Sequence, residues 1–139
     1  MNHYDYEELA IGQKEDFSVE ITEQMLDSFR MITSDVNPLH NDNDFAQKHH
    51  YPQRVVYGML TASFLSTLAG VYLPGEKCLI QSVEIKFTNP VFLGDVLRVS
   101  GRITELHDSV RQIVLKVMIE NQDGKKVLRG TMKLGVLQG

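Results

Sequence analysis

Val55-Val56-Tyr57-Gly58-Met59-Leu60-Thr61-Ala62-Ser63-Phe64-Leu65-Ser66-Thr67-Leu68-Ala69-Gly70-Val71-Tyr72-Leu73 contains no charged side chain. A stretch of this length and character either crosses a bilayer or forms a helix enclosed at the centre of a domain. Thr61, Ser63, Ser66 and Thr67 dilute its hydrophobicity, and it carries Gly58 and Gly70. No basic cluster flanks it, because the chain leaves through Pro74-Gly75-Glu76. The reading is therefore a buried helix from about Tyr57 to Leu73. With no polar face to offer water, it must be covered on every side.

What covers it lies downstream, where the hydrophobic period changes to two. Val83, Ile85 and Phe87 alternate with polar residues, as do Leu97, Val99, Gly101 and Ile103. Ile113, Leu115, Val117 and Ile119 follow, then Leu128, Gly130, Met132, Leu134 and Val136. Asn89-Pro90 with Gly94-Asp95, His107-Asp108-Ser109 and Asp123-Gly124 supply the turns between these four strands. Upstream, Phe17–Ile21 alternates as a further strand, and Thr22 is placed to cap an amphipathic helix over residues 23–32. Ser34 to Asp42 reads as a loop, in which Pro38 forces Asn37 toward an extended backbone. Asp42 can cap a short helix through Asp44, Phe45, Ala46 and Lys48, and His49 to Arg54 reads as a loop. The expected class is α+β: one domain over residues 1–139, with a curved antiparallel sheet wrapped around a long central helix.

Composition narrows the function. The chain has 139 residues, of which 42% are hydrophobic, 23% charged and 8% aromatic, the profile of a globular protein. Fourteen Lys and Arg against 18 Asp and Glu leave a formal charge of −4, which gives nucleic acid and anionic membranes no reason to bind. The acidic N-terminus lacks the basic and apolar regions of a signal peptide. A lone cysteine, Cys78, can form neither an internal disulfide nor a Cys-rich zinc site, so a reducing compartment is expected. Its place at a strand start suggests a small buried residue and not a nucleophile.

Two features could carry chemistry. Asp35 and His40 both titrate, and they flank Pro38 within one loop. Five positions on a continuous helix would set them about 140° apart, but a proline turn can aim both into one cavity. There, a carboxylate and an imidazole can move protons in concert. The plainer reading is that Asp35 shapes the turn and His40 packs against it. The second feature is Gly58, at the first turn of the long helix, where a backbone N–H lacks an internal partner and can meet a carbonyl oxygen. The plainer reading there is close helix–sheet packing.

Ser34-Asp35-Val36-Asn37-Pro38-Leu39-His40, with Asp42 close behind and Tyr57-Gly58-Met59-Leu60 downstream, resembles the hydratase motif of the MaoC-like dehydratases, the (R)-specific enoyl-CoA hydratases. Gln81 to Asp95 is similar to the strand and turn that follow in that family. The resemblance implies a hot-dog fold, a homodimer with each active site at or beside the subunit boundary, and (R)-specific hydration of trans-2-enoyl-CoA. It implies no cofactor, the coenzyme A thioester itself being the substrate. It makes Asp35 and His40 the catalytic pair, with Asp35 activating water and His40 giving a proton, and Gly58 the oxyanion donor. Asn37 would fix the loop, and Tyr57 would border the oxyanion site. Two positions depart from the family's usual residues: Ser34 stands where glycine is common before the Asp, and Tyr57 where histidine is common before the helix glycine.

Coenzyme A phosphates need cations; Arg54, Lys86, Arg98 and Arg102 are available, and Lys86 and Arg54 are the leading candidates. His49-His50 near Asp42 and Asp44 fits a solvated loop better than a metal site, because adjacent histidines point apart. The implied location is cytoplasmic. The alternatives are a dehydratase acting on an acyl-carrier-protein or specialised pathway thioester, a hot-dog thioesterase, and a non-catalytic acyl-CoA-binding module.

Overall fold

The computed structural model describes all residues, Met1–Gly139. Five strands form one antiparallel sheet: β1 (Lys14–Glu20), β2 (Cys78–Phe87), β3 (Val96–His107), β4 (Gln112–Glu120) and β5 (Lys126–Val136), in the order β1-β3-β4-β5-β2. The helices are α1 (Glu23–Thr33), α2 (Pro38–Asn41), α3 (Asn43–Lys48) and α4 (Gly58–Thr67). After α4 the chain widens into a π-turn over Leu68–Tyr72, closed by a hydrogen bond from the Leu73 amide to the Leu68 carbonyl. The expected helix from Tyr57 to Leu73 is thus one α-helix with a different last turn, the wider winding placing Leu68 and Ala69 in the core.

The sheet curls around this helical unit. The segment Leu68–Tyr72 touches β1 and β2, which are opposite edges of the sheet, and also β3 between them. A flat sheet could not bring both edges to one short segment. Register shifts at Ile80/Ser82 in β2, Ile103/Glu105 in β3 and Ile119/Glu120 in β4 supply local bending. Gly101 permits the approach: a Cβ there would lie 3.0 Å from the Leu68 and Leu115 side chains. Leu65, Leu68, Leu97, Ile103, Ile113, Leu115, Leu128 and Met132 are closed to solvent and form the centre of one core.

The local signals upstream act as their chemistry suggests. The Thr22 side chain accepts from the Met25 amide at 3.3 Å and starts α1. Asp42 accepts from the amides of Asp44 (2.9 Å) and Phe45 (3.2 Å) and starts α3. The reading of Ser34–Asp42 as loop alone is corrected: Pro38–Asn41 is a helical turn. Asn37 caps it by accepting from the Leu39 amide at 2.9 Å, and Pro38 supplies a ready-made first helical φ. Cys78 starts β2 as expected but is half-buried and not enclosed. Burial pushes its thiol up to about 11, so it is protonated at neutral pH and a poor nucleophile.

Candidate active site

Helix α1 ends at Ser34, and Asp35 follows with its amide bonded to Thr33 Oγ1 at 3.2 Å. One carboxylate oxygen of Asp35 accepts from the Asn37 amide at 3.1 Å, an Asx turn that fixes the side chain and leaves Oδ2 free. Asn37 therefore shapes the loop through three groups: its amide on Asp35, its Oδ1 on the Leu39 amide, and its carbonyl, which accepts from Asn41 Nδ2 at 2.9 Å.

His40 sits on α2. Its Nδ1 lies 2.7 Å from the Val55 carbonyl oxygen. A carbonyl can only accept, so Nδ1 carries a hydrogen, and Nε2 is left as the atom that exchanges protons with a ligand. The imidazole also lies against the Tyr57 ring, centroid to centroid 4.4 Å.

Asp35 and His40 line the same cleft, of ≈ 520 Å³, with Phe29, Thr33, Tyr57, Gly58, Met59 and Phe87. The cleft opens at the start of α4, whose first turn receives no side-chain cap from Tyr57. The Gly58 N–H is among the amides that a helix cannot satisfy internally. A Cβ at Gly58 would meet the Phe87 ring at 3.2 Å, so the glycine also lets β2 close against the helix. The packing reading of Gly58 holds here, and its position on the cleft is compatible with the ligand-access reading.

Tyr57 is placed differently from a substrate-binding residue. It is 2% exposed, and its hydroxyl donates to the Asp35 carbonyl at 2.6 Å and accepts from Asn41 Nδ2 at 3.0 Å. It borders the cleft with its hydroxyl already committed to these two partners. The two leading phosphate candidates lie outside it. Lys86 neighbours Phe87 on β2 and points to the other face of the sheet, in a depression with Lys116 and Arg129. Arg54 gives its guanidinium to Glu23 Oε1 at 3.1 Å. Arg98 and Arg102 share a second depression on the outer sheet face with Lys14 and Lys116. His49 Nδ1 bonds the Phe45 carbonyl at 2.8 Å, and His50 turns away with a left-handed backbone.

The sequence reading did not single out Phe29, Thr33, Met59 and Phe87 as cleft residues, nor Asn41 as a partner of Tyr57. Met59 follows from the helix start and Phe87 from strand alternation, but Asn41 carries no pattern of its own. Phe29 also lines a neighbouring apolar groove of ≈ 550 Å³ with Met25, Ile32, Leu60 and Phe64, so the two spaces share the Phe29 side chain. No helix is long and apolar enough to cross a membrane.

Comparison with known proteins bears on the fold and the family. An (R)-specific enoyl-CoA hydratase of Rhodospirillum rubrum is 30% identical over 128 residues, spanning 92% of this chain and 88% of the relative. The (R)-specific enoyl-CoA hydratase of Aeromonas caviae is 32% identical over 122 residues, spanning 88% and 91%. The solved (R)-hydratase of Aeromonas caviae involved in PHA biosynthesis superposes with a TM-score of 0.89 at 30% identity, covering 94% of this chain and 98% of that one. An unliganded R-hydratase of Pseudomonas aeruginosa gives 0.90 at 30% identity, covering 96% and 86%. Residues 7–125 match the family model described as a MaoC like domain. With that match over most of its length and a hot-dog fold shared with the solved hydratases, the chain belongs to the MaoC-like domain family.

Proposed function

We propose that this protein adds water to trans-2-enoyl thioesters of coenzyme A, forming (R)-3-hydroxyacyl-CoA, and catalyses the reverse dehydration. The observation that carries the reading is a carboxylate and a tautomer-fixed imidazole on one cleft, beside the open amide of a helix start. The (R) configuration and the coenzyme A thioester are supported by the relatives, which are named for that reaction.

The thioester carbonyl oxygen accepts from the Gly58 N–H, which places C2 and C3 of the double bond before Asp35 and His40. Asp35 Oδ2 takes a proton from water while the water oxygen bonds to C3. The π electrons of the double bond move toward C2, and negative charge builds on the thioester oxygen. A preorganised amide at that oxygen is worth roughly 3–4 kcal/mol in the transition state. C2 takes a proton from His40. Because Nδ1–H is held by the Val55 carbonyl, the proton leaves from Nε2, and the imidazolium is the reacting form. Transfer of the water-derived proton from Asp35 to His40 restores both groups. The acyl chain extends past Phe29 toward the apolar groove, a course supported by the ring the two spaces share.

We also infer a homodimer in a reducing, cytoplasmic setting. β2 is an edge strand whose Leu79 and Phe87 are 53% and 51% exposed, with Ile80 and Val83 also open. An apolar, unpaired edge is the surface that a second copy would extend and cover. Phe87 belongs to both this edge and the cleft, so the pairing would set the partner beside the site. The single protonated thiol fits a reducing compartment.

Incubation of the protein with crotonyl-CoA, followed by chiral separation of the product, tests the reaction. The expected product is (R)-3-hydroxybutyryl-CoA. The (S) product, or release of free coenzyme A, contradicts the assignment.

A further inference from the structure

We propose that Tyr57 is a positioning residue, which clamps the acid, the base and the oxyanion donor to one another through a hydrogen-bonded chain reaching back to α1. The inference rests on the hydratase reading for its effect on rate, but the clamp itself is a matter of geometry.

The chain can be followed atom by atom. Asp27 Oδ1 accepts from Arg30 Nη2 at 3.1 Å, and Arg30 Nη1 donates to Asn41 Oδ1 at 2.8 Å. Asn41 Nδ2 donates to the Tyr57 hydroxyl at 3.0 Å and to the Asn37 carbonyl at 2.9 Å. The Tyr57 hydroxyl then donates to the Asp35 carbonyl at 2.6 Å. The hydroxyl hydrogen is committed to Asp35, because Asn41 Nδ2 can only donate. Arg30 donates to both of its neighbours, and from Arg30 through Asn41 and Tyr57 to Asp35 the bonds run in one sense.

Tyr57 also touches the other two participants. Its ring packs against both His40, centroids 4.4 Å apart, and Phe29, centroids 4.7 Å apart. Its own peptide bond presents the Gly58 N–H. One buried side chain thus meets the backbone of the carboxylate residue, the face of the imidazole and the start of α4. The Asp35 loop is otherwise exposed and held mainly by short-range bonds within residues 33–41. Leu39 and His40 are tied to Val55, whose amide donates to the Leu39 carbonyl at 3.0 Å and whose carbonyl accepts from His40 Nδ1 at 2.7 Å, and the Tyr57 hydroxyl ties the Asp35 end of the loop to the start of the core helix. Without it, the carboxylate would be placed against the thioester carbonyl site only through the chain on either side of it. Displacement of a reacting group by about 1 Å can cost on the order of 100-fold in rate.

The test compares Tyr57→Phe, Asn41→Ala and the double variant with wild type in steady-state hydration of crotonyl-CoA. Hydrogen exchange at the amides of Asn37, Leu39 and His40 is followed in parallel. The expected result for Tyr57→Phe is a fall in kcat of about 10- to 100-fold with KM within about twofold, since alignment is lost and thioester binding is not. Exchange at the three amides should rise. Asn41→Ala should move both readouts in the same direction by less, and the double variant should lose less than the product of the two single losses, because the two residues share one bond while Asn41 also holds the Asn37 carbonyl. Tyr6→Phe is the control. Tyr6 is also buried and also gives a 2.6 Å hydroxyl bond, to Asp108, but it lies outside the cleft. It should lower stability and leave kcat unchanged. Unchanged kcat and unchanged exchange in Tyr57→Phe, or an equal loss of kcat in Tyr6→Phe, would overturn the proposal. A wild type without turnover would refute the hydratase reading instead, and the exchange comparison would still decide the clamp.

Discussion

Ser34 holds a left-handed backbone (φ 60°) at the end of α1, immediately before Asp35. An L-residue pays roughly 1–2 kcal/mol in that region, and glycine does not. Ser34→Gly should therefore stabilise the protein by about 0.5–1 kcal/mol after the extra chain entropy of glycine is subtracted. Urea denaturation reads the change, and a lower midpoint would contradict it. The left-handed position explains why glycine is the usual residue there in the resembling motif. Asp35, His40 and Gly58 were legible as candidates because a proline turn and a helix start act over a few residues, while their assignment as a site came from the family resemblance. Asn41 and Arg30 were not. Their contacts depend on how α1 packs over the loop, which no local pattern records. Tyr57 was legible as a position but not in its role, since the partner of its hydroxyl is a backbone carbonyl 22 residues away.

At the scale of elements, pairing register creates features that alternation alone does not show. Lys14 on β1 stands opposite Arg102 on β3, and Arg102 stands opposite Lys116 on β4. Three cations thus line up across three strands, and none of them is in an ion pair. Like charges directly opposite one another on a sheet are unfavourable, and opposite charges contribute roughly 0.2–1 kcal/mol. Arg102→Glu should consequently raise stability by about 0.5 kcal/mol at low salt, with a smaller gain at high salt. A loss of stability, or a gain insensitive to salt, would show that the row is relieved in another way. Strand identities followed from the two-residue period, and the apolar face of β3 and β4 is as the sequence suggests. Registers did not follow, because bulges in β2, β3 and β4 shift the pairing partway along each strand. The π-turn was also hidden, since Leu68–Tyr72 has the composition of an ordinary helix end.

The whole molecule is arranged so that the helix start, the loop and one sheet edge meet. The same curl that covers α4 leaves β2 as an open edge with Val83 and Phe87 exposed. If that edge joins two copies, Val83→Lys should shift the protein toward monomer in sedimentation velocity and reduce turnover together with it. A variant that stays dimeric would move the interface elsewhere. The layout of a helix inside a curved sheet was legible from one uncharged stretch and four alternating ones. The boundary of the cleft was not, because it draws on α1, α2, α4 and β2, which are distant in the chain.

The central claim is that Asp35 and His40 act together on one bound double bond. The most direct measurement is hydration of crotonyl-CoA by Asp35→Asn and His40→Ala, each checked for an unchanged fold by circular dichroism. Both groups are on the cleft surface and outside the core, so the fold should survive, and each variant should lose roughly 10²–10⁴-fold in kcat. Wild-type turnover in either folded variant would contradict the account.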